Sequence, residues 1–366
     1  MMKEKKTLII VCSIAVILIA AATIAYAFLP HSLNYPIKSI ESIGSTVKLI
    51  INTDDKVIIK NTEDREFKII TFTDMHLDGK NKTSYETISH LVENITNEKP
   101  DLVVLGGDNV TSAFNKKRAN QLCEIFERLG VYWAPNLGNH EGDNSWSITR
   151  SEMVEIFSSY PHCLMLEGKE DIWGDGNYCV EILNADDTLM TTLFFMDTGD
   201  ECDAETMAEY NLPEGDTYND GVKANQIEWY KEKVTEGKQN YGEYPSILFV
   251  HIPLPQYKTE AEKGNFLYGE KYENVCATEF ESGLFDCLKE MGSTTAVFCG
   301  HDHLNTFGVE LDGILLSYMQ PSGYGSYTAA SRLGFEEKDW LQGYMTLTIE
   351  QDGEFTNEYY RNSENM

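Results

Sequence analysis

Five short stretches of this 366-residue chain combine metal-ligand or acid–base side chains with chain-bending residues: Asp74-Met75-His76, Gly106-Gly107-Asp108-Asn109, Gly138-Asn139-His140-Glu141, His251 and Gly300-His301-Asp302-His303. There are eight histidines, at 31, 76, 90, 140, 162, 251, 301 and 303, and five of them fall in these stretches. One such histidine is more often structural than functional, but five together would be a chain of coincidences. A mixture of imidazole, carboxylate and amide donors suits divalent cations. Two such cations about 3.5–4 Å apart can hold the attacking and leaving oxygens of an in-line phosphoryl displacement. Asp74-x-His76 and His301-x-His303 each put two donors on one side of an extended strand end, because residues i and i+2 share a face. Glycines at 106, 107, 138 and 300 let the backbone turn sharply and come close to a ligand.

Each stretch follows an apolar run, which identifies the elements that must deliver it. Residues 66–73 read as a strand ending at Asp74, 102–105 as a strand ending at Gly106, and 131–137 as a strand ending at Gly138. Ile88, Leu91, Val92 and Ile95 recur at helical spacing before Pro100, as do Leu122, Ile125, Phe126 and Leu129 before Gly130. This strand–helix alternation predicts right-handed parallel crossovers, and the continuously apolar strands predict a sheet covered on both faces. Ligands of such sheets bind at the carboxyl edge. Residues 47–60 read as a hairpin turning at Asp54-Asp55, 151–160 as a helix, and 178–182 and 193–196 as strands. The acidic 198–219 stretch is expected as an exposed insertion. Residues 222–234 read as a helix, 246–250 as a strand ending at His251, and 253–275 as a long loop near the site carrying Tyr257, Phe266, Tyr268 and Tyr272. Residues 280–291 read as a helix, 295–299 as a strand ending at Gly300, and 306–360 as alternating β-structure. The 253–275 aromatics either stack on a substrate or pack the loop onto the domain.

Composition narrows the function classes. Twenty-nine basic against 59 acidic residues leave a net charge of −30. Such a surface repels phosphate backbones and argues against a nucleic-acid partner. It does not exclude a small phosphorylated substrate, since bound cations invert the local field. The eight cysteines (12, 123, 163, 179, 202, 276, 287, 299) include no C-x-x-C pair. They are read as small core residues rather than a disulfide framework or zinc ribbon, one disulfide staying open.

The N-terminus carries Lys3, Lys5 and Lys6, then no charge from Thr7 to Leu29, with Pro30 next. That is about the 20 residues a membrane-spanning helix needs. Ala25-Tyr26-Ala27 also resembles a signal-peptidase site. The expected organisation is a membrane anchor or signal segment at 1–30, a tether at 31–45 and a single domain at 46–366. The lysine bias places the N-terminus inside. The domain would then be extracytoplasmic, tethered to the cell membrane by a single pass or secreted if cut near Ala27.

The whole series, Asp74-x-His76, Gly107-Asp108, Gly138-Asn139-His140-Glu141, His251 and Gly300-His301-Asp302-His303, resembles the motif set of the calcineurin-like metallophosphoesterase superfamily. The resemblance spans roughly residues 67–310. Within the superfamily the chain looks closest to bacterial and fungal phosphohydrolases grouped with purple acid phosphatases. It implies an α/β fold, a four-layer α/β/β/α sandwich of two mixed sheets with flanking helices. It implies one metal held by Asp74, His76, Asp108 and His303, and a second by Asp108, Asn139, His251 and His301. A hydroxide between the metals would attack phosphorus, with His140 as general acid and Glu141 orienting its imidazole. The implied function is hydrolysis of small or lipid-linked phosphoesters, with monoesters first and diesters second. A catalytically silent surface binding module is the reading of a different class.

One departure concerns the metals. Purple acid phosphatases have a metal-binding tyrosine three residues after the bridging aspartate, and Thr111 stands there in this chain. The charge-transfer colour is therefore not expected, and the two divalent ions would be Mn, Fe or Zn. Asp302 reads as a turn or supporting residue. Asp78 and Asn109 are read as pocket lining or ordinary loop, and His31, His90 and His162 as structural.

Overall fold

The computed structural model describes residues 35–362, except 54, 79–80, 112–114, 144–146 and 337–340. Two β-sheets organise it. The larger has the strand order β1 (Val47–Asn52), β2 (Lys56–Asn61), β6 (Tyr178–Leu183), β7 (Leu189–Phe195), β8 (Ser246–Phe249), β9 (Thr294–Cys299), β11 (Ile314–Tyr318), β10 (Gly308–Leu311). The smaller has the order β13 (Phe355–Arg361), β12 (Gly343–Ile349), β3 (Phe67–Phe72), β4 (Leu102–Gly106), β5 (Tyr132–Asn136). Both are mixed: β3-β4-β5 and β7-β8-β9-β11 run parallel, and antiparallel strands complete each sheet.

Helices connect and cover the sheets: α1 (Asn81–Glu98), α2 (Lys116–Leu129), α3 (Arg150–Ser158), α4 (Ala204–Glu209), α5 (Ala224–Tyr241), α6 (Pro255–Lys263), α7 (Leu284–Met291) and α8 (Ala329–Leu333). Strand alternation explains the layering, because successive side chains leave opposite faces. Phe195, Phe249 and Phe298 stack in a ladder across β7, β8 and β9, with centroids 5.2 and 5.7 Å apart, and join one core with Ile69, Val104, Met345 and Leu347 of the smaller sheet. Their neighbours Phe194, Leu248 and Val297 enter a second core with Ile227, Trp229 and Tyr230 of α5 and Leu284 and Leu288 of α7. The same first core runs out to Ile88, Leu91 and Ile95 of α1 and Leu122, Ile125 and Phe126 of α2. The expected α/β sandwich of two mixed sheets flanked by helices is therefore observed.

Three expectations need correction or restriction. The 253–275 stretch is not a plain loop: α6 begins with Pro255 at its first turn and stops at Gly264, whose φ is +72°. A proline just inside a helix start and a glycine just past its end are the usual signals, and both stand in the sequence. Its aromatics pack inward. Tyr257 is buried, its hydroxyl donating to the Val297 carbonyl at 2.6 Å, and Phe266 lies against Phe307 at 4.8 Å. The expected membrane segment, residues 7–29, lies outside the described residues. Among the described residues no helix is long and apolar enough to cross a membrane, so the single-pass placement is withdrawn. The seven described cysteines are all free thiols.

Candidate metal centre

The carboxyl ends of the two parallel strand sets meet in the cleft between the sheets, and the candidate ligands converge there. Asp74 and His76 follow β3, Asp108 follows β4, Asn139 follows β5, His251 follows β8, and His301 and His303 follow β9. Backbone bonds lock the loops together. The Asp74 and His76 N–H groups donate to the carbonyls of Gly107 and Asp108, and the Gly300 N–H donates to the His251 carbonyl. The His301 N–H donates to the Asp74 carboxylate at 3.1 Å. Asp74, His76, Asp108 and His301 all hold positive φ, from +42° to +76°. Non-glycine residues rarely adopt that region, and such strain collects at functional sites where the surroundings enforce it.

Asp74, His76, Asp108 and His303 are buried, and one ligand atom from each lies within 4.8 Å of all the others. His76 Nε2 is 3.3 Å from Asp108 Oδ2 and 3.0 Å from His303 Nε2. His303 Nε2 is 3.3 Å from Asp74 Oδ1. A second group adjoins it: Asn139 Oδ1 lies 3.1 Å from His251 Nε2 and 2.9 Å from His301 Nδ1, and His251 Nε2 is 3.4 Å from Asp108 Oδ2. Asp108 thus sits between the groups. Its Oδ1 accepts the His140 N–H at 2.9 Å, while its buried Oδ2 has no hydrogen-bond partner. A buried, unpartnered carboxylate oxygen is costly unless a charge meets it. That oxygen, facing two imidazole nitrogens, would suit a cation between them. The donors suit the group that the family implies.

Supporting contacts set the imidazole tautomers. His251 Nδ1 faces the Gly106 carbonyl at 2.9 Å and His303 Nδ1 faces the Tyr327 carbonyl at 3.2 Å, so each ring donates outward and turns Nε2 into the cluster. Tyr327 also stacks on the His303 ring at 4.3 Å. Two glycines are required by close approach. A Cβ on Gly107, whose φ is +101°, would stand 2.5 Å from His251 Nδ1, and one on Gly138 would stand 2.1 Å from Asp108 Oδ1.

Charge follows from this packing. Burial pushes Asp74 up, but the charge and hydrogen bond of His303 and the charge of His251 together outweigh it and hold the carboxyl at about 2. Asp108 is likewise held low, by His251 and His76 against burial. Burial drives His301 down to about 3, helped by the His251 charge, so its imidazole is neutral and ligand-ready. Asp108 raises His251 to about 10 against the burial that lowers it. To serve as a ligand His251 would have to give up that proton, because metal ligation needs neutral imidazole.

His140 stands at the mouth of the cleft, its ring 5.4 Å from that of His76. Glu141 does not orient it. The Glu141 carboxylate is fully buried and accepts backbone N–H groups from Asp108 (3.2 Å), Asn109 (2.5 Å), Val110 (3.4 Å) and Gly138 (2.8 Å), tying the loop after β4 to the loop after β5. Asp143 is the partner of His140: its Oδ2 is 2.6 Å from Nδ1. That bond, working against burial, raises the imidazole to about 9. Sequence reasoning missed Asp143, although its position three residues after His140 is a local signal. It also missed Arg150, which donates to the Gly138 carbonyl and to buried Asp197; nothing in the sequence pattern links those three.

The residues given lesser roles are also placed. Asp302 accepts from the Tyr318 hydroxyl at 2.5 Å and from the Cys276 N–H at 3.1 Å, a supporting position. Asn109 is wholly buried and its amide donates to the Asn136 carbonyl. Asp78 accepts from Thr83 and Ser84 at the start of α1. His162 pairs with Glu127, and His90 lies beside Tyr324.

The profile of the calcineurin-like phosphoesterase family matches residues 67–305. Two Arabidopsis thaliana proteins are similar: one named "Probable inactive purple acid phosphatase 14", 30% identical and covering 73% of each chain, and one named "Probable inactive purple acid phosphatase 29", 29% identical over 72% of this chain and 74% of that protein. Among solved structures, a dimetal phosphatase from Danio rerio overlays 81% of this chain and all of its own, at 15% identity and a TM-score of 0.49. With residues 67–305 matched and the ligand series gathered at one cleft, the chain belongs to the calcineurin-like phosphoesterase family.

Proposed function

We propose that this protein hydrolyses small phosphomonoesters at a dinuclear metal centre. The observation that carries the reading is Asp108 Oδ2, buried without a hydrogen bond and facing His76 Nε2 at 3.3 Å and His251 Nε2 at 3.4 Å. Asp74, His76, Asp108 and His303 would hold one cation, and Asp108, Asn139, His251 and His301 the other. When bound, two such cations supply charge stabilisation for the phosphoryl oxygens and an activated water at neutral pH.

The chain's own residues do the rest. The His140 imidazolium, held by Asp143, is positioned to donate a proton to the departing oxygen at the open side of the cleft. Glu141 and Arg150 fix the loop that presents Asn139 and His140. The net charge of −30 supports small monoesters over polynucleotide diesters. The similar Arabidopsis proteins carry names that call them inactive; the reading for this chain rests on its own donor set.

The test is hydrolysis of para-nitrophenyl phosphate and its bis ester after chelation and after Mn, Fe(II) or Zn is returned. Metal-restored release, faster on the monoester, supports the proposal. Preference for the bis ester would make the protein a diesterase. Bound metal without turnover of either ester would favour a silent binding module, and no bound metal would overturn the ligand assignment.

A further inference from the structure

Beside the metal centre lies a cavity of about 650 Å³, between residues 216–219 and 271–279, with Lys258 and Glu262 of α6 on one side. That volume falls in the ~300–1,000 Å³ range of small-molecule clefts. The cavity and the metal centre share a wall. Asn219 lines the cavity, donates to the Cys276 carbonyl at 2.8 Å, and places the same amide nitrogen 3.3 Å from His301 Nε2. Behind Cys276, its N–H donates to Asp302, the residue between His301 and His303. Antiparallel bridges from Lys271 to Asn305 and from Glu201 to Asn219 tie both walls to the framework.

Polar groups make up the larger part of the lining, and Val275, Ala277 and the Tyr218 ring make up the apolar part. Asn219, Asn274, Thr217, Lys271 and Glu262 offer amide, hydroxyl, ammonium and carboxylate groups, while Tyr218 supplies the aromatic ring. Lys258 is engaged by Glu279 at 3.0 Å, whereas Lys271 forms no ion pair among the described residues. Donors and acceptors on the same lining suit hydroxyl groups, each of which both gives and accepts a hydrogen bond. An alkyl or aryl group there would displace water from these groups and leave them unpaired.

Resting on the hydrolase reading above, we infer that this cavity receives the organic half of the substrate and that this half is hydroxyl-rich, a sugar or polyol carrying a monophosphate. Asn274 and Lys271 are specificity residues. Both are solvent-exposed and neither belongs to the metal centre, so their removal leaves the fold and the basal chemistry intact.

The experiment compares kcat/KM of the full chain, loaded with the metal that restores activity, on glucose 6-phosphate, mannitol 1-phosphate, glycerol 2-phosphate, hexyl phosphate and para-nitrophenyl phosphate. At least one hydroxylated ester is expected to exceed hexyl phosphate by on the order of 100-fold, since sites built for hydroxyls reject analogues lacking them. Lys271→Ala and Asn274→Ala are expected to lower that ester about ten-fold or more and to leave para-nitrophenyl phosphate unchanged. Equal rates on hexyl phosphate and every hydroxylated ester would overturn the inference, as would variants that slow all esters alike. Failure of the hydrolase reading looks different: no phosphate release from any ester. In that case calorimetry of the metal-loaded chain with glucose 6-phosphate and mannitol 1-phosphate decides, and heat that Lys271→Ala does not diminish, or no heat, sinks the cavity assignment.

Discussion

Replacing Glu141 by Gln separates the role of this carboxylate seen in the structure from the role its sequence position suggests. The carboxylate accepts four backbone N–H groups, from Asp108, Asn109, Val110 and Gly138. A glutamine offers one acceptor oxygen and turns an NH₂ toward the remaining donors, so about half of the bonds are lost. Each hydrogen bond to a charged group is worth about 1.5–3 kcal/mol. Loss of two gives about 3–6 kcal/mol, trimmed at the upper end to about 3–5 kcal/mol because burial and the Asp108 charge already push the Glu141 carboxyl up to about 7. With an unfolding entropy of about 2.1 cal/mol/K per residue over roughly 330 residues, 3–5 kcal/mol lowers Tm by about 4–7 °C. The assay is calorimetry of Glu141→Gln beside wild type, with metal content and a pH–rate profile on the same samples. Lower Tm, reduced metal content and an unmoved alkaline limb are expected. An unchanged Tm with a shifted alkaline limb would refute the reasoning, because the carboxylate would then be acting on His140.

Asp143→Asn tests the partner that the structure does give His140. The imidazole donates only while protonated, and Asp143 raises its pKa above the usual 6.5 to about 9, so the variant's activity should fall at lower pH than wild type. The pair is part-exposed, so its strength is discounted to about 0.2–1 kcal/mol, a downward shift of roughly half a pH unit. An upward shift or none, read from kcat/KM against pH, would remove Asp143 from the proton-donor pair. The same sign governs stability: the pair's contribution is present below pH 6.5 and is lost as pH rises through about 9. Arg150→Met leaves Asp197 buried without its cation, and breaking such a pair costs about 3–5 kcal/mol; a Tm drop of about 4–7 °C, partly restored by Arg150→Lys, is expected in thermal unfolding. Chelation should lower Tm as well. A cation present at 100 times its Kd stabilises by about 2.7 kcal/mol, or about 4 °C here, and a Tm indifferent to chelator and to returned Mn would argue against resident cations at Asp108.

The amino-acid sequence by itself determined the candidate ligand series and the strands that carry it. Asp74, Asp108, Asn139, His251 and His301 each follow a short apolar run, and a buried strand followed by a turn is written in consecutive residues. The α1 and α2 periodicities and the parallel crossovers were legible for the same reason, and α6 would have been, from Pro255 and Gly264. What joins residues distant in the chain was decided only by the tertiary structure. Glu141 reads as a neighbour fit to steer His140, but the loop after β4 packs beneath it and presents a row of unsatisfied N–H groups, so the carboxylate turns inward. Arg150 and Asp197 are 47 positions apart and meet only because β5 and β7 belong to facing sheets. Asn219 and His301, 82 positions apart, bring the cavity against the candidate metal centre in the same way. Local sequence specifies elements and their ends; which buried polar groups satisfy one another is settled where the sheets close, since each must find a partner once water is excluded.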